Sequence, residues 1–185
     1  MRPSRIFMLL YKKERYDGSF QWPTPLPKPS IEPWLDGPPV PLRVLEKIKP
    51  KAKGQAKSLE EALLKLHKQG GNNPLGEPHL VVFGMSSVTT ALDCCPCMLK
   101  QSKPIWVLNR GRLLHIKERM RLMGFNPDRF QEPVPAALLG NSMAINVVER
   151  LLCRILPAVR LTGRLPDRWQ DGSAQKELTS TSVRG

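Results

Sequence analysis

The sequence predicts an α/β fold. Three short apolar runs, RIFMLLY over residues 5–11, HLVVFG over 79–84 and IWVL over 105–108, have the length and the aliphatic and aromatic content of strands. Interleaved with them are segments whose apolar residues recur at helical spacing, at 58–68, 116–123 and 142–156. With 185 residues, the chain has room for one ordinary domain, or one domain and an appendage.

The elements follow in order. Residues 5–11 carry a continuous apolar run bounded by Arg5 and Lys12, the pattern of a strand buried on both faces in a parallel or mixed sheet. The next stretch, SFQWPTPLPKPSIEPWLDGPPVP, is punctuated by proline and reads as irregular and extended. A basic segment, LRVLEKIKPKAK (42–53), reads as a short helix stopped by Pro50. In SLEEALLKLHK (58–68) Ser58 stands as N-cap, Glu61 completes a capping box, and Gly70-Gly71 supply the stop. Strands at 79–84 and 105–108 precede a helix at 116–123 with Ile116, Met120 and Met123 on one face. The last helix, 142–156, lines up Ile145, Val148, Leu152 and Ile155, and Pro157 follows it. From Arg160 to Gly185 the composition is polar and rich in Ser and Thr, so the tail is expected to be disordered.

Composition bounds the partners. A formal charge of +13 points to polyanions, nucleic acid before anionic membrane. No apolar run reaches the roughly 18 residues of a spanning helix. The apolar core Ile6–Leu10 is shorter than the roughly 7–15 residues of a signal-peptide core. Four cysteines without a secreted-type framework fit a reducing compartment. Between Arg43 and Lys68 eight Lys/Arg stand against three Glu, and Arg110, Arg112, Lys117, Arg119 and Arg121 make a second cluster. Such cations neutralise phosphates without reading sequence, or simply solvate the surface. Trp22, Trp34, Trp106 and Trp169 are too scattered along the chain to form a stacking platform. Cys94 and Cys97 have the spacing of half a zinc site, but a structural site wants four ligands, and His79 and Cys153 are the remaining candidates.

Gly140-Asn141-Ser142 combines a flexible residue with two capping side chains at the mouth of the last helix. It reads either as a plain N-cap or as a helix start whose amides meet a ligand. Its surroundings are informative. The run RGRLLHIKERMRLMGFNPDRF, followed after a short gap by VPAALLGNSMAINVVERLL, resembles the ninth and tenth motifs of DNA (cytosine-5) methyltransferases. The opening RIFMLLYKK with FQWPTP is similar to that family's eighth motif. The resemblance covers roughly residues 1–27 and 94–156, in the family's order.

The resemblance implies a doubly wound, Rossmann-like methyltransferase domain of which this chain holds the C-terminal portion. Residues 1–27 would be the last part of the catalytic domain, 28–107 a recognition region, 108–157 the closing motifs and C-terminal helix, and 158–185 a disordered tail. It places Asn141 and Ser142 at S-adenosylmethionine, Arg5 at the target cytosine, and Arg112 and Glu118 in a brace between the sheet and the recognition region. The partner would be DNA, with a companion chain or an N-terminal half carrying the catalytic motifs, and the setting nuclear, or nucleoid and cytoplasmic in a prokaryote.

The family's nucleophile is the Cys of a Pro-Cys pair upstream of its eighth motif, supported by a Glu-Asn-Val motif and a Gly-rich cofactor loop. None of these stands at the family's place in this chain. Pro96-Cys97 lies on the wrong side of the eighth motif, just before the ninth. The expectation is a chain without catalytic residues, inactive alone. The alternative is a non-catalytic basic nucleic-acid-binding module derived from such an enzyme.

Overall fold

The computed structural model describes residues 8–69, 73–84, 89–96, 103–132 and 134–180. Its centre is a four-stranded sheet of β1 (Leu80–Val82), β2 (Thr89–Ala91), β3 (Ile105–Val107) and β4 (Arg112–Leu113), in the order β2-β1-β3-β4. The α-helices are α1 (Leu42–Leu45), α2 (Lys53–Lys68), α3 (Ile116–Leu122), α4 (Ala136–Asn141), α5 (Ile145–Ala158) and α6 (Ser173–Ser180). The fold is mixed α/β, as the alternating patterns require.

Every strand pairing is antiparallel, with Leu80 opposite Val107 and Val81 opposite Trp106. The run at 5–11 predicts a parallel or mixed sheet because it reads as buried on both faces. β3 is buried throughout and the edge strands β2 and β4 only in part; the β3–β4 connection spans Leu108–Gly111, far below the dozen or so residues a parallel crossover needs. Alternate side chains serve opposite layers. Leu80, Ile105 and Val107 join Ile31, Trp34, Leu35 and Leu178 on one face. Val81, Phe83 and Trp106 meet Leu59, Ala62 and Leu66 of α2 on the other. A third cluster, Met120, Met123 and Leu139, joins α3 to α4. The division expected between residues 107 and 108 falls inside the β3–β4 hairpin.

Three expectations at the ends of the chain need correction. First, residues 8–11 of the expected buried strand are not in a strand, and Met8 and Leu10 are 84% and 97% exposed. An apolar run becomes a strand only beside a partner, and among the described residues neither sheet edge reaches this one. Met8–Tyr11 instead border a depression whose far side is Ile155, Ala158 and Val159, and Asp17 N–H bonds the Ala158 carbonyl at 3.0 Å. Second, the tail is ordered through α6. Ala174 and Leu178 are buried, and Trp169 lies against Trp34. A few well-spaced apolar residues outweigh a polar average. Third, α5 runs through Pro157 rather than stopping before it, because proline near a helix end removes few hydrogen bonds.

Helix starts differ as well. α2 begins at Lys53, five residues before Ser58, with Ala52 as its N-cap and no side-chain cap. Gly54-Gln55-Ala56-Lys57 lets the helix extend backwards until the chain leaves Pro50. It ends at Lys68; Gly70 and Gly71 lie outside the described residues. Gly124, just after α3, has φ +85°, and a Cβ there would sit 2.9 Å from the backbone nitrogen of Asn146. The turn therefore demands glycine, and it lets α5 approach until Ile145 N–H bonds the Met123 carbonyl at 2.8 Å.

Candidate functional site

Two features stand out: a buried ion-pair frame and an exposed cationic strip. The frame is centred on Glu118, whose side chain is wholly buried at the first turn of α3. Arg112, on β4, reaches it with both terminal nitrogens at 2.8 Å. The backbone amides of Asp36 and His115 donate to the same carboxylate, both at 2.7 Å. Burial pushes the Glu118 carboxyl up, but the Arg112 hydrogen bond and the amides of Asp36 and His115 outweigh it and hold it below its ordinary value.

Arg121, one turn on, extends the frame. Its Nε and Nη2 donate to the Trp34 carbonyl at 3.2 and 3.1 Å, and Nη2 also pairs with Asp36. Arg110 is buried and bonds Glu32 at 2.6 Å, beside Asn109, which donates to the other Glu32 oxygen. Arg110 Nε and Nη1 are buried without a partner among the described residues, so this cation is held at some energetic cost. Arg119 is half-buried against the Lys103 carbonyl. The second basic cluster is thus structural: of its five members only Lys117 is exposed. Arginine's fork of donors is suited to binding several acceptors inside a fold, and the region 32–36 supplies those acceptors. The sequence hid Asp36, Glu32 and the Trp34 carbonyl as partners because they lie more than 70 residues upstream.

Asp36, His115 and Glu118 bring ligand atoms within 4.8 Å of one another. The cluster is nevertheless an ion-pair frame. Glu118 is saturated by Arg112 and amides, Asp36 faces Arg121, and the His115 side chain accepts from the N–H of Glu118 as a capping box. Two guanidinium groups at that spot oppose a metal cation.

The first basic cluster is different. Arg43, Lys47, Lys49, Lys51, Lys53, Lys57, Lys65 and Lys68 are all exposed. Between α1 and α2 every second residue is a lysine, while Ile48 packs towards the α2 layer and Pro50 is buried. These two anchors fix the loop and leave its ammonium groups in solvent. Among the described residues, Lys49 is the one member of the eight in an ion pair, with Glu60 at 2.9 Å, and both partners are exposed, so that pair is worth little. Gly111 (φ +59°) lets the hairpin pass beneath this loop; a Cβ there would lie 3.0 Å from both Leu45 and Ile48. A row of solvated ammoniums on a fixed loop attracts polyanions and can neutralise successive phosphates.

The other expected site residues are dispersed. Arg5 and Cys97 lie outside the described residues. Gly140-Asn141-Ser142 does not open the last helix: Gly140 and Asn141 close α4, Ser142 Oγ donates to the Leu139 carbonyl at 2.8 Å, and α5 starts at Ile145 behind Ala144. Ala136-Ala137-Leu138-Leu139 behind Pro135 nucleates a helix that absorbs the Gly-Asn pair. Asn141 is exposed, and Ser142 borders a depression walled by Phe125, Phe130, Val134 and Leu138. That wall suits an apolar or aromatic surface. Its polar lining is Gln131, Glu132 and Ser142, with no basic side chain to meet the carboxylate of S-adenosylmethionine, so these residues by themselves do not hold that end of the cofactor. His79 is occupied too, its Nδ1 accepting from Asp93 N–H at 3.2 Å. Cys153 Sγ donates to the Pro166 carbonyl at 3.1 Å.

Comparison of the chain with protein-family models, with curated proteins and with solved structures returned no match. Among the described residues no helix is long and apolar enough to cross a membrane.

Proposed function

We propose that the chain is the C-terminal part of a DNA (cytosine-5) methyltransferase. It would join a recognition region, holding duplex DNA through its phosphates, to the closing motifs of a doubly wound catalytic domain. Methyl transfer from S-adenosylmethionine to cytosine would depend on a nucleophile and a cofactor loop outside these residues. The frame around Glu118 is the observation that supports this reading. Resemblance assigns Arg112 and Glu118 to a brace, and the pair ties α3 to the backbone at Asp36, in the region between the eighth and ninth motifs.

The test uses the purified chain, duplex DNA and methyl-labelled S-adenosylmethionine. The expected result is no transfer of label to cytosine, together with duplex binding that weakens steeply with salt. Methylation by this chain alone overturns the assignment of catalysis to another segment.

A second reading, a non-catalytic nucleic-acid-binding module, is favoured by one feature. The cationic strip is anchored by Ile48, Pro50 and Gly111 of the same chain, and needs nothing from a companion. An in-frame Pro-Cys-Gln and Glu-Asn-Val upstream of Met1 favours the enzyme; a reading frame without them favours the module. Duplex affinity that is flat between low and physiological salt counts against both.

A further inference from the structure

Three of the four tryptophans, distant in sequence, converge on one groove. Trp22, Trp34 and Trp169 line a space of about 710 Å³, within the roughly 300–1,000 Å³ of small-molecule sites. The Trp34 and Trp169 rings are near-parallel, 20° apart with centroids at 6.5 Å. Trp22 stands at the rim, 58% exposed, edge-on to Phe20 at 5.1 Å. Opposite them is the first half of α5. There Arg150 is held by the Asp167 carboxylate at 3.0 Å and by the Thr24 carbonyl at 2.7 Å. Asn146, Gln170 and Gln175 add amide side chains, and the chain's own Pro23, Leu26, Pro27 and Pro29 form a further apolar wall.

We propose that this groove binds a nucleobase, stacked on an indole face and met at its edge by a side-chain amide. Every base offers a π-face to an aromatic ring, so indoles hold bases with little regard to identity. An amide carries both a donor and an acceptor, which the edge of a base can satisfy together. The +13 charge of the chain raises the local concentration of the attached phosphate. A proline-rich peptide is the rival occupant of an aromatic groove. Trp169 argues against it, because its indole N–H, which could otherwise meet a peptide carbonyl, is bound to Glu149 at 2.8 Å. The base can come from a free mononucleotide or from an unpaired position in a single strand. The proposal does not rest on methyl transfer: Arg112, Glu118, Asn141 and Ser142 do not line the groove.

The test compares the full chain with Trp22→Ala, Trp22→Phe and Gln175→Ala. Adenosine monophosphate is titrated by calorimetry, and a labelled single-stranded oligoadenylate by anisotropy. Trp22 is exposed at the rim, so its replacement leaves the core intact, which a thermal melt verifies. The expected result is about tenfold weaker binding in Trp22→Ala, with most affinity retained in Trp22→Phe. Gln175→Ala is expected to weaken binding by a smaller factor, and duplex affinity to stay unchanged in all three. Binding of the mononucleotide makes a free nucleotide the ligand. Binding of the oligonucleotide alone makes it a base within a strand, and either result supports the pocket. Binding of neither probe overturns the proposal, as does wild-type affinity in Trp22→Ala. Saturable binding of oligoproline in place of both nucleotides also overturns it.

Discussion

Both terminal nitrogens of Arg112 donate to the carboxylate of Glu118 at 2.8 Å, and that carboxylate has no exposed surface. Glu118 also accepts two backbone amides, so all its acceptor capacity is spent inside the fold. Arg112 bonds the Asp36 carbonyl as well. Removing the arginine strands a buried charge, whereas removing both partners does not. Arg112→Met is therefore expected to destabilise the chain by about 3–5 kcal/mol, and the double variant with Glu118→Leu to recover part of that loss. Urea melts of the two singles and the double measure it.

The same pair sets a pH dependence. The folded Glu118 carboxyl lies below its ordinary value of 4.5, so its contribution is complete above that value and is lost as pH falls through the folded one. His79 is lowered from 6.5, mainly by burial, so the unfolded chain takes up that proton first and stability begins to fall below 6.5. Urea midpoints measured down the pH scale should decline in two stages, the lower one flattened in Glu118→Gln.

The cationic strip and the buried arginines should separate in experiment. Lys47→Gln, Lys51→Gln and Lys53→Gln together are expected to make the fall of log affinity for duplex DNA with log salt shallower, by about 0.9 for each phosphate left unneutralised. Each change should alter stability by no more than about 0.5 kcal/mol. Arg121→Gln should show the reverse pattern, a large loss in the thermal melt, because its guanidinium is buried against Trp34 and Asp36.

The C-terminal helix is part of the core. Leu178 sits with Ile31, Trp34 and Leu80, so Leu178→Ala is expected to cost about 2–5 kcal/mol. A truncation after residue 160 should broaden or abolish the thermal transition. Unchanged melting in either variant would return the tail to the disordered class.

Gly124→Ala tests the close approach of α3 and α5. With φ +85° and backbone 2.9 Å from the added carbon, the change should destabilise by more than about 1 kcal/mol. The loss should appear in circular-dichroism melts.

The features legible along the chain were local ones. Periodicity and apolar runs placed β1, β3, α3 and the body of α2, because those signals depend on residues within a turn or a strand of one another. Charge pattern found the strip at 43–68, whereas Arg112 and Glu118 are singled out by resemblance to a family motif and not by their spacing. Which cations face water was settled by folding alone. Arg110, Arg112 and Arg121 look like Lys47, Lys49 and Lys51 along the chain, yet they are drawn inward by Glu32, Asp36 and the Trp34 carbonyl. The same long-range packing ordered the polar tail through Trp169 and Leu178 and gathered three distant tryptophans into one groove. It left Met8 and Leu10 exposed, without a strand partner among the described residues. Burial depends on partners that only the folded chain brings near, and no local pattern encodes a contact across more than 70 residues.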